Sequence, residues 1–355
     1  MSTTYRTIGW NPQKRRYDLI AGGFTLAFAG IVLGVQAIAR PDLTIETLLI
    51  RTLGATAFTL LHVILCIGPL ARLDRRFLPL LYNRRHAGVT MCLLGLVHAA
   101  LVIITYHAGG DTNPILSIFR GSPITASISG VPFQPFGFFA LVILLLMAAT
   151  SHDFWLANLS APVWKSLHML VYIAFGLLVL HVTFGVLQAE VNPVYAVATG
   201  VGLVLVLGLH LAAAFKEAPT DRGHDVDAAD TGFVDACAIA DIPESRARIV
   251  CLSGERVAIF KYDGKVSAVS NVCQHQNGPL GEGKILDGCI TCPWHGYQYV
   301  PETGASPPPF VEKVPTFNVC VKNGRVFVHP KPNPPGVRTE PALIATAKSQ
   351  ALQTA

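Results

Sequence analysis

The chain has 355 residues, 51% of them hydrophobic and 14% charged, with a formal net charge of +5 and a mean hydropathy of +0.46. That apolar excess excludes an ordinary soluble domain and implies that much of the chain lies in a membrane. The small positive charge resides mostly in basic loops between apolar stretches, so nucleic acid need not be invoked.

Six apolar stretches, near residues 18–39, 48–70, 86–106, 134–151, 164–187 and 194–215, are long enough to cross about 30 Å of hydrocarbon. Lys14-Arg15-Arg16 ahead of the first stretch resembles the start of a signal peptide. The apolar core that follows exceeds the usual 7–15 residues of such a signal, so it reads as a retained helix. Lys and Arg in the short loops set the orientation. Arg6, Lys14, Arg15, Arg16, Arg72, Arg75, Arg76, Arg84, Arg85, Lys165 and Lys216 fall on one side, against Arg40, Arg51 and Arg120 on the other. The first side is read as cytoplasmic. A multi-pass protein of a bacterial-type inner or plasma membrane is expected, with both termini in the cytoplasm and eight cysteines that need no disulfide framework.

Histidines in the spans need a reason, because a polar ring in hydrocarbon is costly without a partner. His62, His98, His168, His181 and His210 fall inside predicted spans, and His86 opens one. Any single one reads equally well as a hydrogen-bonded structural residue. As a set on four neighbouring helices they favour heme, which takes two axial imidazoles from facing helices of a bundle. Cys66 and Cys92 read as small apolar packers.

After the sixth span, residues 218–230 are polar, charged and without apolar period, and read as a linker. The first 217 residues form the membrane domain on this reading, and residues 231–330 a small all-β domain. Val257–Tyr262 and Lys265–Val269 flank Asp263-Gly264, and Phe317–Lys322 and Arg325–Val328 flank Asn323-Gly324. Both are two-residue hairpin signals. Pro307-Pro308-Pro309 is too rigid for a strand ladder and suits a loop. Residues 331–355, Pro-rich at first, are expected to be a disordered tail.

Between the hairpins stand Cys273-Gln274-His275 and, sixteen residues on, Cys292-Pro293-Trp294-His295. Zinc would suit two Cys and two His, but zinc fingers usually pair Cys with Cys and His with His on separate elements. One Cys and one His on each of two loops is what a [2Fe–2S] cluster needs when thiolates hold one iron and imidazoles the other. The flanks Val272–Leu280 and Cys289–Tyr299 closely resemble Rieske proteins, and the resemblance runs over residues 231–330. It implies Cys273, His275, Cys292 and His295 as cluster ligands. High-potential relatives carry a further Cys in each ligand loop, joined as a disulfide; Gly278 and Trp294 stand there instead. Tyr297 replaces a serine that bonds a cluster sulfur, and Tyr299 is kept. The centre is therefore expected to be of the ferredoxin type, with a lower potential. Cys289, three before Cys292, reads as a buried thiol in a strand and not half of a redox pair.

The membrane half resembles the ferric reductase-like transmembrane family over residues 48–190. The matching residues are Arg84-Arg-His-Ala-Gly88 through His98, Ala149-Thr-Ser151, Trp164 through His168 and Tyr172, and Leu180-His181. The expected fold is thus a six-helix transmembrane bundle followed by a small all-β Rieske domain. The resemblance implies one or two b-type hemes, with His98 and His181 clasping one toward the outer leaflet and His168 serving another toward the cytoplasm. Where relatives carry the second inner histidine this chain has Arg84, which leaves His86 and His62 as tentative substitutes. Arg84 and Arg85 either pair with propionates or anchor topology; His107, His152 and His210 have no counterpart.

No Gly-x-Gly-x-x-Gly strand–helix unit follows the sixth span, and no mononuclear iron triad follows the cluster motif. The expected function is single-electron transfer between a cytoplasmic Rieske cluster and heme b, toward an acceptor on or beyond the membrane. A soluble ferredoxin or NAD(P)H-dependent reductase would be the donor, making the chain one component of an oxidoreductase. Quinol oxidation in the reverse direction and a non-catalytic redox sensor are the alternatives.

Overall fold

The computed structural model of the protein describes residues 12–344 apart from 82, 121–130, 153, 156–158, 160, 190–191, 222–231, 276 and 295. The chain divides near Ala212 into a helical unit and a unit that carries the β structure.

In the helical unit, α1 (Pro12–Ala39) starts on a proline, whose missing N–H costs nothing in a first turn. No part of its most apolar stretch is buried, and Leu19, Phe24, Leu26, Ile31 and Ile38 point outward, the mark of a helix solvated by lipid. α2 (Ile45–Leu73) is capped by Thr44, whose hydroxyl accepts from the Thr47 N–H. It is the most buried of the long helices and packs mainly on α4 (Arg84–Tyr106). Short α3 (Leu78–Leu81) and α5 (Pro114–Arg120) lie in the connections. α6 (Gln134–Ala149) packs on α8 (Val171–Phe184), which follows α7 (Ala161–Met169) across a break at Leu170. α9 (Val186–Ala189) and α10 (Pro193–Asp221) complete the unit's chain order. The bundle interior is built from Leu61, Leu65, Met91, Ala140, Leu144, Ala174 and Phe175.

Five stretches among the described residues are long and apolar enough to span a membrane: Lys14–Ala39, Ile45–Leu73, Arg84–Tyr106, Val163–Gln188 and Pro193–Asp221. Of the six expected spans, five are thus long enough among the described residues. The fourth, α6, has 16 residues and reaches about 24 Å at 1.5 Å per residue, short of the hydrocarbon thickness. The fifth is interrupted, and short helices occupy the loops. The expected linker from 218 also begins inside α10, which continues through Pro219 to Asp221.

The β unit contains a sheet ordered β11-β4-β3-β2, with β8 also on β4, and two three-stranded sheets, β1-β10-β9 and β5-β6-β7. The strands are β1 (Val234–Ala238), β2 (Arg246–Leu252), β3 (Glu255–Tyr262), β4 (Lys265–Ser270), β5 (Lys284–Leu286), β6 (Cys289–Thr291), β7 (Gln298–Tyr299), β8 (Thr316–Phe317), β9 (Val319–Lys322), β10 (Arg325–Val328) and β11 (Ala342–Leu343). Strand alternation divides the interior. Val257 and Ile259 of β3 enter one core with Phe317 and Val326, while Ala258, Phe260 and Tyr262 enter the other, beside Cys273 and Cys292.

Both anticipated hairpins form, with Asp263/Gly264 and Asn323/Gly324 at positive φ as a type I′ turn requires. Two more of the same kind join β2 to β3 at Ser253-Gly254 and β5 to β6 at Asp287-Gly288. The expected tail beyond residue 330 is corrected as far as residue 344. β11 pairs with β4, Asn333 bonds Thr316 and Thr339, and residues 345–355 lie outside the described set.

Candidate functional site: a thiol–imidazole loop pair and a histidine array

The two cysteine loops are conformational copies. The Cys273 N–H donates to Gly278 O and the Cys292 N–H to Tyr297 O, while Asn277 N and Gly296 N donate back to the carbonyls of Cys273 and Cys292. Asn277 and Gly296, each four residues after its cysteine, both have positive φ. Every ring thus closes with one left-handed residue at the same place, and each loop turns its thiol inward. Both cysteines are almost fully buried, and none of the eight cysteines is disulfide-bonded.

Gly278 allows the two loops to meet. A Cβ there would stand 2.8 Å from Cys292 Sγ and 3.2 Å from the Trp294 ring, so the positions that could have borne a bridging disulfide are filled by one indole packed over a glycine. The Tyr299 hydroxyl lies 3.3 Å from Cys273 Sγ and accepts from the Gln274 N–H. Burial raises the Tyr299 pKa, so it keeps its proton and remains a donor. Tyr297 is different. Its hydroxyl donates to Glu312, and its ring stacks on His275 at 4.9 Å and 13°. Phe310, just after the three prolines, packs on Tyr297 at 5.0 Å and closes this side. Cys289 is half-buried in β6 with its pKa raised by burial, an unreactive environment.

His295 lies outside the described residues. Among those described, no three His, Cys, Asp or Glu side chains gather around a single-ion site. Two buried thiols on matched loops that meet over a glycine, with a hydroxyl aimed at one sulfur, suit a cofactor that takes its thiolates as a pair.

The helical unit brings together His98 of α4 and His181 of α8, with ring centroids 6.4 Å apart and planes at 87°. Each ring is held in the same way. His98 Nδ1 donates to Ile50 O at 2.8 Å and His181 Nδ1 to Phe133 O at 3.0 Å. Those carbonyls already face the N–H four residues on, and the residues four on are Gly54 and Gly137. A Cβ on Gly54 would stand 3.0 Å from the His98 ring, and one on Gly137 2.8 Å from the His181 ring. Glycine is what lets an imidazole reach a helical carbonyl from the side. Because Nδ1 must be the donor, each ring keeps its Nε2 lone pair for a metal. The 6.4 Å separation leaves room for one metal between them at about 2 Å per metal–nitrogen bond.

The other histidines are dispersed. His168 of α7 bonds Trp164 O, stacks on the Trp164 ring at 3.7 Å, and lies 3.3 Å from the Ser151 hydroxyl. His62 of α2 bonds Phe58 O, while its Nε2 is buried with no hydrogen-bond partner among the described residues. Its ring meets Phe58 and Phe175 edge-on, and a Cβ on Gly202 would stand 2.8 Å away. His86 is engaged elsewhere, with Nδ1 2.8 Å from Asp18 of α1. His210 bonds Val206 O and the Tyr172 hydroxyl; His107 is buried between Ser117 and Gln134. Asp18 and the glycines went unremarked in the sequence reading. A lone carboxylate in an apolar helix was a visible signal for the first. The glycines had none, since their pairing is tertiary.

Residues 232–318 match the Rieske [2Fe-2S] domain, and residues 53–179 match the ferric reductase like transmembrane component. The 3-phenylpropionate/cinnamic acid dioxygenase ferredoxin subunit of Photorhabdus laumondii is 32% identical over 94 residues, which cover 26% of this chain and 89% of that protein. The chain belongs to the Rieske [2Fe–2S] family. In this Rieske protein the domain is joined to a ferric reductase-like transmembrane domain, and the combination makes it a membrane protein of electron transfer. The ferredoxin component of the alkene monooxygenase system of Xanthobacter autotrophicus is 29% identical over 106 residues, 30% of this chain and 87% of the relative. Cholesterol 7-desaturase nvd of Xenopus laevis is 36% identical over 96 residues, but the chain spans only 21% of it.

Proposed function

We propose that the protein accepts single electrons at a cytoplasmic Rieske cluster held by Cys273, His275, Cys292 and His295 and delivers them to b-type heme held by its own helices. A [2Fe–2S] cluster and a heme each supply one-electron redox chemistry when bound. The observation that carries the reading is the His98–His181 pair, facing at 6.4 Å with both Nδ1 atoms committed to carbonyls. That arrangement fixes the tautomer and leaves both Nε2 atoms as candidate ligands of one metal.

The absent disulfide, and the commitment of Tyr297 to Glu312, leave Tyr299 as the side-chain hydroxyl at a cluster sulfur, which favours a ferredoxin-like potential. A soluble ferredoxin or NAD(P)H-linked reductase is the fitting donor, and the positive-inside pattern puts the Rieske domain on its side of the membrane. His168 belongs to a second, inner heme, with His62 favoured over His86 as its partner, because His62 Nε2 is buried and unsatisfied whereas His86 is held by Asp18.

The test uses the full chain in detergent or nanodiscs with an NADH-linked ferredoxin reductase as donor. Wild type should show the rhombic signal of a mixed Cys/His cluster and a b-type heme band that appears on reduction. Cys273→Ser should abolish the cluster signal and slow heme reduction at least about tenfold while heme content stays unchanged. Equal heme reduction without the cluster would refute the proposal.

A further inference from the structure

A cleft of about 520 Å³ lies within the helical unit, between α1, α2, α4 and the turn after α6, away from the His98–His181 pair. Its polar groups include two pairs and, besides them, Arg85, Thr25 and Thr90. From α1 and α4 come Asp18 and His86, joined by the 2.8 Å contact; from the turn come Ser151 and His152. Small and apolar residues, among them Gly22 and Ala148, form the rest of the lining.

We propose that this cleft binds a lipid-soluble quinone or quinol. The volume lies in the 300–1,000 Å³ range of small-molecule sites, and apolar walls with a few convergent polar groups are what such sites present. One wall is α1, whose Leu19, Phe24, Leu26 and Ile31 are exposed, so a ligand with an isoprenoid tail can enter from the bilayer. The Asp18–His86 couple suits a ring oxygen in either redox state. With Nδ1 held by Asp18, the other ring nitrogen of His86 is left to hydrogen-bond a ring oxygen. Ser151 brings this cleft beside the proposed redox path, because it lies next to the His168 ring. Binding itself does not require the proposed electron transfer; the ligand's role as the membrane-side reactant rests on that reading.

The experiment uses the full protein in quinone-free phosphatidylcholine nanodiscs, with a short-chain ubiquinone as probe and tryptophan quenching as readout. A Cβ on Gly22 meets nothing within 4 Å, so Gly22→Leu fills the cleft without disturbing packing; Gly30, also open and outside the cleft, gives the control Gly30→Leu. Saturable binding of one quinone per chain is expected in wild type and Gly30→Leu. Gly22→Leu and Asp18→Asn should each weaken it at least about tenfold, with heme content and cluster spectrum unchanged. Absence of saturable binding, wild-type affinity in either cleft variant, displacement of the probe by phosphatidylglycerol, or loss of heme in Gly22→Leu would overturn the proposal. A protein that binds quinone as expected but shows no cluster-dependent heme reduction would remove the proposed function and leave the cleft standing.

Discussion

Gly137→Ala isolates the device that orients His181. The new Cβ would stand 2.8 Å from Nδ1, about 0.6 Å inside ordinary contact at 3.4 Å. A ring retreating that far along its hydrogen bond would stretch 3.0 Å to Phe133 O to about 3.6 Å, which is no longer a bond. Its loss costs about 1 kcal/mol, and replacing a helical glycine by alanine returns about as much, so fold stability should hardly change. Heme retention should change greatly, because the tautomer and aim of a ligand are lost. At Gly54 the shortfall to His98 is about 0.4 Å, and 2.8 Å to Ile50 O becomes about 3.2 Å, still a hydrogen bond. The expected order of heme loss is Gly137→Ala, then Gly54→Ala, then Gly176→Ala, where a Cβ meets nothing within 4 Å. Heme per protein from the pyridine hemochrome, measured beside thermal unfolding, tests this. Full heme in Gly137→Ala, or a greater loss in Gly54→Ala, would refute the reasoning.

Tyr299→Phe removes the hydroxyl 3.3 Å from Cys273 Sγ and should lower the cluster potential by roughly 50–100 mV, a shift read by redox titration of the paramagnetic signal; an unchanged potential would dismiss the hydrogen bond. His62→Leu should remove one heme from a two-heme protein, and His86→Leu should remove none; equal ratios in the two variants would reverse the preference for His62 as inner ligand. Burial pushes the Tyr262 hydroxyl up to about 12 from 10.0, so the folded chain keeps a proton that the unfolded chain releases. This contribution is intact below pH 10 and is lost as pH rises toward 12. Tyr262→Phe should therefore flatten the decline of cluster-bleaching temperature across that window, and an identical slope would contradict it.

What the sequence made legible was whatever depends on local chemistry. Asp263-Gly264 and Asn323-Gly324 announced their hairpins because few residue pairs tolerate two positive φ values; Asp287-Gly288 carried the same signal between shorter strands, and Ser253-Gly254 a weaker one. The Cys/His spacing announced the loop pair. Hydropathy placed the spans but not their irregularities, because a 16-residue α6 and the break at Leu170 leave average apolarity intact. The strand at Ala342–Leu343 was hidden behind a proline-rich approach, and only its pairing with Val266 and Lys265 makes it a strand.

The histidines show why site geometry is harder to read than ligand identity. His98, His168 and His181 are equivalent as letters, yet the partner of Nδ1 separates them. His168 bonds the carbonyl four residues back on its own chain, a contact any helical histidine can make. His98 and His181 instead bond carbonyls of neighbouring helices, 48 residues away in sequence in both cases, and each contact needs a glycine on the receiving helix. A self-bonded ring moves with its own helix. A ring bonded across helices is fixed to the packing of two, so its aim survives only while α2 stays against α4 and α6 against α8. Those are the two most extensive helix pairings in the unit. The most rigid seams of the bundle and its best-oriented imidazoles therefore coincide, which is what a redox centre needs if its ligands are to stay put when its charge changes.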